Sequence, residues 1–145
     1  MIVLDTSVIV AALFSRNGAS HALLVRALES NLEFAVSVAL ALEYEDVLFR
    51  ETTLERSWAS DGEILMVLDG LLSRASLVSP IRFRQRPLLP DPGDEMIVEC
   101  AMQAGAETIV TLNIKDFAPL KFWPNIEVLR PGPMLARLIA QERNT

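Results

Sequence analysis

Asp5 ends an apolar run, Ile2-Val3-Leu4, and Asp116 follows closely on a second such run, Thr108 to Thr111. In an open parallel sheet, ligands bind beyond the carboxyl ends of the strands, so acidic residues at those ends are the first place to look for chemistry. Glu43 lies within a helical stretch whose inward stripe is Leu40, Tyr44, Val47 and Leu48, and it falls on the flank of that stripe. Asp94 opens another helical stretch, with Asp91 just before it as an accessory or a decoy. Each of the four has a plainer reading when taken alone. Asp5 and Asp94 can be helix N-caps, Glu43 a boundary glutamate paired with an arginine, and Asp116 a turn residue. Brought to one edge, however, four carboxylates repel one another, and unless some protonate they require a hard, oxygen-preferring cation. Mg²⁺ or Mn²⁺, as one ion or two, meets that requirement. These ions bind few carboxylates and complete their shells with water and phosphate oxygens, which makes phosphodiester hydrolysis the natural chemistry of such a site.

Composition narrows the alternatives. His21 is the only histidine, which excludes a paired-histidine ribonuclease mechanism within one chain and leaves a Ser-His-Asp triad without support. Cys100 is the only cysteine, so no intrachain disulfide and no cysteine zinc cage can form, and without a histidine to activate it Cys100 reads as a small buried hydrophobe. The net charge of -6 runs against nucleic acid, because polyanion binders usually present a basic face. Bound metal locally inverts the sign of a carboxylate cluster, and the chain does concentrate cations in one place, Arg82-Phe83-Arg84-Gln85-Arg86. That segment could guide single-stranded RNA toward the metals, or serve as a solvated loop or a docking segment for a protein partner. No apolar run reaches the roughly 20 residues that span a bilayer, and the N-terminus lacks the pattern of a signal peptide, so the expectation is a cytoplasmic protein with no membrane partner.

The elements that must position the acids read as follows. Residues 2–4 form a strand and Val8 to Phe14 a helix; residues 20–29 form a helix, Phe34 to Val36 a strand, and Ser37 caps a helix from Val38 to Arg50. Ser60 and Glu63 make a capping box ahead of an amphipathic stripe through Leu72, followed by a strand from Ser76 to Ser79. Four prolines and a glycine make residues 80–93 a loop. A helix from Glu95 to Ala104 stops at Gly105, the strand Thr108 to Thr111 and a turn through Asn113 follow, and a strand from Ile126 to Leu129 precedes a C-terminal helix introduced by Pro131-Gly132-Pro133. Strands alternating with helices imply parallel crossovers and a three-layer α/β/α fold with a central, mostly parallel sheet, formed by one domain over residues 1–145.

Across nearly its whole length the chain resembles the PIN-domain nucleases, and more narrowly the VapC-like toxins of toxin–antitoxin pairs. The resemblance rests on Ile2-Val3-Leu4-Asp5-Thr6-Ser7, on Glu43 within Ala41-Leu42-Glu43-Tyr44-Glu45, on Asp94-Glu95-Met96-Ile97 leading to Ala101, and on Ile109-Val110-Thr111-Leu112-Asn113-Ile114-Lys115-Asp116-Phe117. It implies that Asp5, Glu43, Asp94 and Asp116 are metal ligands and catalytic acids, and that Thr6 or Ser7, with Thr111, positions ligands or substrate. It also implies a ribonuclease that forms homodimers and is blocked by a small antitoxin protein. Many relatives carry Gly-Asp where this chain has Leu112-Asn113, so Asn113 removes one negative charge while keeping the ability to ligate or to bond a bound water. Two further functions compete with this reading. One is a non-catalytic PIN-like module that binds RNA or protein, for which Asn113 would mark a decayed site. The other is a phosphotransfer receiver domain, which needs an early acidic pair where this chain has only one early acid.

Overall fold

The computed structural model describes residues 1–145. Five three-residue strands, β1 (Ile2–Leu4), β2 (Ala35–Ser37), β3 (Ser76–Val78), β4 (Thr108–Val110) and β5 (Glu127–Leu129), alternate with seven helices. The helices are α1 (Thr6–Phe14), α2 (Ala19–Leu28), α3 (Val38–Leu48), α4 (Glu51–Arg56), α5 (Asp61–Arg74), α6 (Glu95–Ala104) and α7 (Pro131–Arg143). Every strand pairing is parallel, in the orders β1-β4-β5 and β2-β3, and a single parallel bridge between Ile2 and Phe34 joins the two sets. This is the three-layer α/β/α architecture with a parallel sheet. Because β1, β2 and β4 are covered by helices, their residues are all buried and read as continuous apolar runs rather than alternating ones.

Parallel pairing has one consequence for chemistry: the carboxyl ends of all the strands share an edge. The register Leu4↔Val110 sets Asp5 beside Thr111, and the Asp5 amide donates to the Val110 carbonyl at 2.9 Å. Helix α6 packs across β1, β2, β3 and β4 and points its N-terminus, with Asp94, toward that edge. Helix α3 starts directly from β2, where the Ser37 hydroxyl caps it by accepting from the Leu40 amide. No single helix is long and apolar enough to cross a membrane.

Several elements form as expected and others differ. The Ser60/Glu63 capping box is present at the start of α5, and α6 ends at Gly105 with φ +66°, a left-handed conformation that glycine adopts at least cost. Helix α4 falls where no element was expected; it is six residues long and lacks an apolar stripe of its own, with only Thr53 buried. Past the turn expected through Asn113, the segment Ile114–Phe122, for which no element was expected, is a 3₁₀ helix with Pro119 inside it, anchored by buried Phe117 and Leu120. Tertiary packing decides both segments, since neither has the periodicity that identifies a helix in sequence.

Candidate active site

Asp5 is 8% exposed and occupies the N-cap position of α1, yet its side chain makes no capping bond. Its Oδ2 instead accepts from the Ser7 hydroxyl at 2.9 Å and from the Thr111 hydroxyl at 2.6 Å. Each hydroxyl is itself oriented by the backbone. The Leu112 amide donates to Ser7 Oγ at 3.2 Å and the Asn113 amide donates to Thr111 Oγ1 at 3.0 Å, which leaves each hydroxyl proton for Asp5. One oxygen of Asp5 is thereby saturated, while the other has no partner within the chain.

Asp94 also fails to cap its helix, although it stands at the N-cap of α6. The capping in this turn is done by Asp91, whose Oδ1 accepts from the Gly93 amide at 2.8 Å. Asp94 Oδ2 is buried without a hydrogen-bond partner. Burial, followed by the charges of Asp5, Asp91, Asp116 and Glu43, pushes the Asp94 carboxyl up to about 6. All three other acids singled out in the sequence thus bear on Asp94. Glu43 is half-buried on α3, and Asp116 is exposed in the first turn of the 3₁₀ segment, where its amide donates to the Asn113 carbonyl. No arginine or lysine pairs with any of the four, so the reading of Glu43 as half of a boundary ion pair falls away.

The four carboxylates do not close into a ready-made shell for an ion. The donor set nonetheless suits a hard divalent cation: free carboxylate oxygens, no sulfur, no imidazole, and a half-buried acid, Asp94, one oxygen of which has no partner in the chain. Thr6 Oγ1, next to Asp5, is likewise buried without a partner. Asn113 is exposed at the same edge, following Thr111.

The arginine segment is placed elsewhere. Residues 82–89 run antiparallel to α6 and are held by three of its polar residues, spaced one turn apart. Gln103 Oε1 accepts from the amides of Arg82 (2.9 Å) and Phe83 (3.3 Å), Glu99 pairs with the Arg86 guanidinium, and Glu95 Oε1 accepts from the amides of Leu88 (2.6 Å) and Leu89 (2.9 Å). Gln103 lies about 13 Å along the helix from Asp94, from the rise per residue. Arg82 and Arg84 are therefore adjacent to Asp94 in the chain and distant from it in space, and Phe83 packs edge-on against Trp123. Arg86 is committed to Glu99, whereas Arg82 and Arg84 have no carboxylate partner. Sequence reasoning missed Glu95, which is 1% exposed, and Glu99, at 5%; the i, i+4, i+8 spacing of Glu95, Glu99 and Gln103 is the signal that marks one polar face of α6.

Comparison with known proteins agrees with the fold. A family model described as PIN domain matches residues 1–115, and the chain belongs to that family, which is generally one of nucleases that typically use divalent metal ions. The match takes in Asp5, Glu43 and Asp94 and stops one residue short of Asp116. The chain is also similar to a chain in the crystal structure of VapBC2 from Rickettsia felis bound to a DNA fragment from their promoter, at 22% identity and a TM-score of 0.51, covering 90% of this chain and 98% of that one. No curated protein sequence matches it.

Proposed function

We propose that this chain is a metal-dependent endoribonuclease, the toxin of a toxin–antitoxin pair, with Asp5, Glu43, Asp94 and Asp116 holding one or two Mg²⁺ or Mn²⁺ ions. The observation that carries the reading is Asp94: one carboxylate oxygen is buried without a partner, the carboxyl is pushed up to about 6 by burial and by the charges of Asp5, Asp91, Asp116 and Glu43, and no arginine or lysine pairs with it. Family membership and the VapBC-like fold support it. A bound divalent ion supplies a lowered pKa for attacking water and charge stabilisation for the phosphate. Ser7 and Thr111 orient Asp5 by donating to one of its oxygens, which leaves the other available to an ion. Thr6 offers a free hydroxyl at the same edge, and Asn113 offers an amide to a water or a phosphate oxygen. Arg82 and Arg84 are free to meet RNA phosphates well away from the scissile bond, while Arg86 supports the segment.

The partners follow from the same reading: single-stranded or structured RNA as substrate, a cognate antitoxin protein, and a second copy of the chain, all in the cytoplasm. The exposed apolar side chains Val38 and Leu42 on α3, and Leu65 and Leu72 on α5, support self-association. A second reading, a non-catalytic PIN module over residues 1–145, is favoured by one observation, the neutral Asn113 where many relatives have an acid. Mn²⁺ titration of wild type and of an Asp5→Asn/Asp94→Asn double variant, with cleavage of single-stranded RNA in parallel, separates the two. Binding and cleavage present in wild type and lost in the variant support the nuclease. Absence of binding in wild type favours the module.

A further inference from the structure

Tyr44, directly after Glu43, is completely buried on α3, and its hydroxyl donates to the carbonyl of Leu4, the residue before Asp5. That carbonyl needs a donor for a reason built into the sheet. The Asp5 amide points to β4, so by the alternation of backbone groups along a strand the Leu4 carbonyl points to the opposite side, toward β2. On that side the two strands pair only through the bridge Ile2↔Phe34, where the Ile2 amide donates to the Glu33 carbonyl at 3.1 Å. From that bridge β2 continues through Val36, level with Leu4, to Ser37, but there it is paired with β3 and forms no further bridge to β1, so the ladder ends before it reaches Leu4. The phenol of Tyr44 supplies the donor that β2 no longer provides.

The same contact joins two of the candidate ligands. Asp5 is one residue from the acceptor and Glu43 one residue from the donor, so a single hydrogen bond ties the helix carrying one acid to the strand carrying the other. We propose that Tyr44 is a positioning residue, whose hydroxyl sets the placement of Glu43 relative to Asp5 by pinning α3 to the end of β1. The purpose given to this tether rests on the metal-site reading above; the tether itself does not.

Tyr44 is the only tyrosine in the chain, so its hydroxyl proton can be assigned without ambiguity. In metal-free wild type at neutral pH, NMR should show that proton as a discrete, slowly exchanging resonance; a hydroxyl in fast exchange with water would overturn the proposal without any variant. The second arm compares Tyr44→Phe with Ile64→Val, a conservative core substitution on α5 away from the edge. Amide exchange of residues 4–7 should accelerate about tenfold or more in Tyr44→Phe and stay near wild type in Ile64→Val. Mn²⁺ should bind Tyr44→Phe at least several-fold more weakly, with Ile64→Val unchanged. Equal exchange and equal Mn²⁺ affinity in the two variants would reduce Tyr44 to ordinary core packing and overturn the proposal. If wild type itself binds no Mn²⁺, the metal-site reading fails, while the hydroxyl proton and the amide exchange still decide the tether.

Discussion

Helix α6 carries carboxylates in two opposite circumstances. At its N-terminus Asp94 feels the charges of Asp5, Asp91, Asp116 and Glu43 and finds no donor of its own; along its flank Glu95 and Glu99 are more deeply buried, yet the segment 82–89 answers them with two backbone amides and a guanidinium. Burial costs a charge several kcal/mol unless something compensates it, so the flank acids hold the fold together whereas the terminal acids load it with repulsion. Only the second oxygen of Glu95, buried without a partner, departs from the pattern. The contrast teaches how a structural acid is told from a site acid: the question is whether the chain itself supplies the positive partner.

Substitutions should therefore have opposite signs in the two regions. The largest effect is expected from Asp94→Asn: loss of metal-dependent cleavage by about a thousandfold or more, with higher thermal stability of the metal-free protein at neutral pH, because a repelled charge is removed. Activity assays and melting curves on the same preparation check both halves. Glu95→Ala should do the reverse to stability, lowering it by about 2–3 kcal/mol in urea unfolding, since the amides of Leu88 and Leu89 lose their acceptor. Glu99→Ala should cost about 1–3 kcal/mol, moderated because Arg86 is half-exposed and regains water.

The dependence on pH sharpens the comparison. With its carboxyl pushed up to about 6, Asp94 retains a proton in the folded chain that the unfolded chain loses near pH 4. The folded state binds more protons across that interval, so the contribution of Asp94 makes metal-free stability fall as pH rises from about 4 to about 6, after which it levels off. Mn²⁺ affinity should rise over the same interval, because the ion competes with the proton. A pH series of melts on wild type and Asp94→Asn isolates this contribution as the difference between the two curves. The smallest effect is expected from Gln103→Ala, about 0.5–1 kcal/mol, at the exposed end of the segment.

What the sequence conveys follows the same division. Strand ends, caps and stops are local, so Ile2–Leu4 leading to Asp5, the Ser60/Glu63 box and the Gly105 terminus can be read residue by residue, and the alternation of strands and helices implies the parallel sheet that gathers the acids. The course of residues 82–89 along α6 is a long-range matter; nearness to Asp94 in the chain suggested nearness in space, and the antiparallel run removes it. Helix α4 and the 3₁₀ segment around Pro119 carry no periodic signal. Tyr44 looks like any inward-facing residue of an amphipathic helix, because its distinguishing atom, the hydroxyl, acts across 40 residues of sequence.

The most direct test of the central claim is the melting temperature of wild type and Asp94→Asn at pH 7, each with and without Mn²⁺. The account predicts that without metal the variant melts higher than wild type, and that Mn²⁺ raises wild type while leaving the variant unmoved. A variant that melts lower than wild type without metal, together with a wild type indifferent to Mn²⁺, would contradict it and make Asp94 a structural acid like its neighbours on the flank.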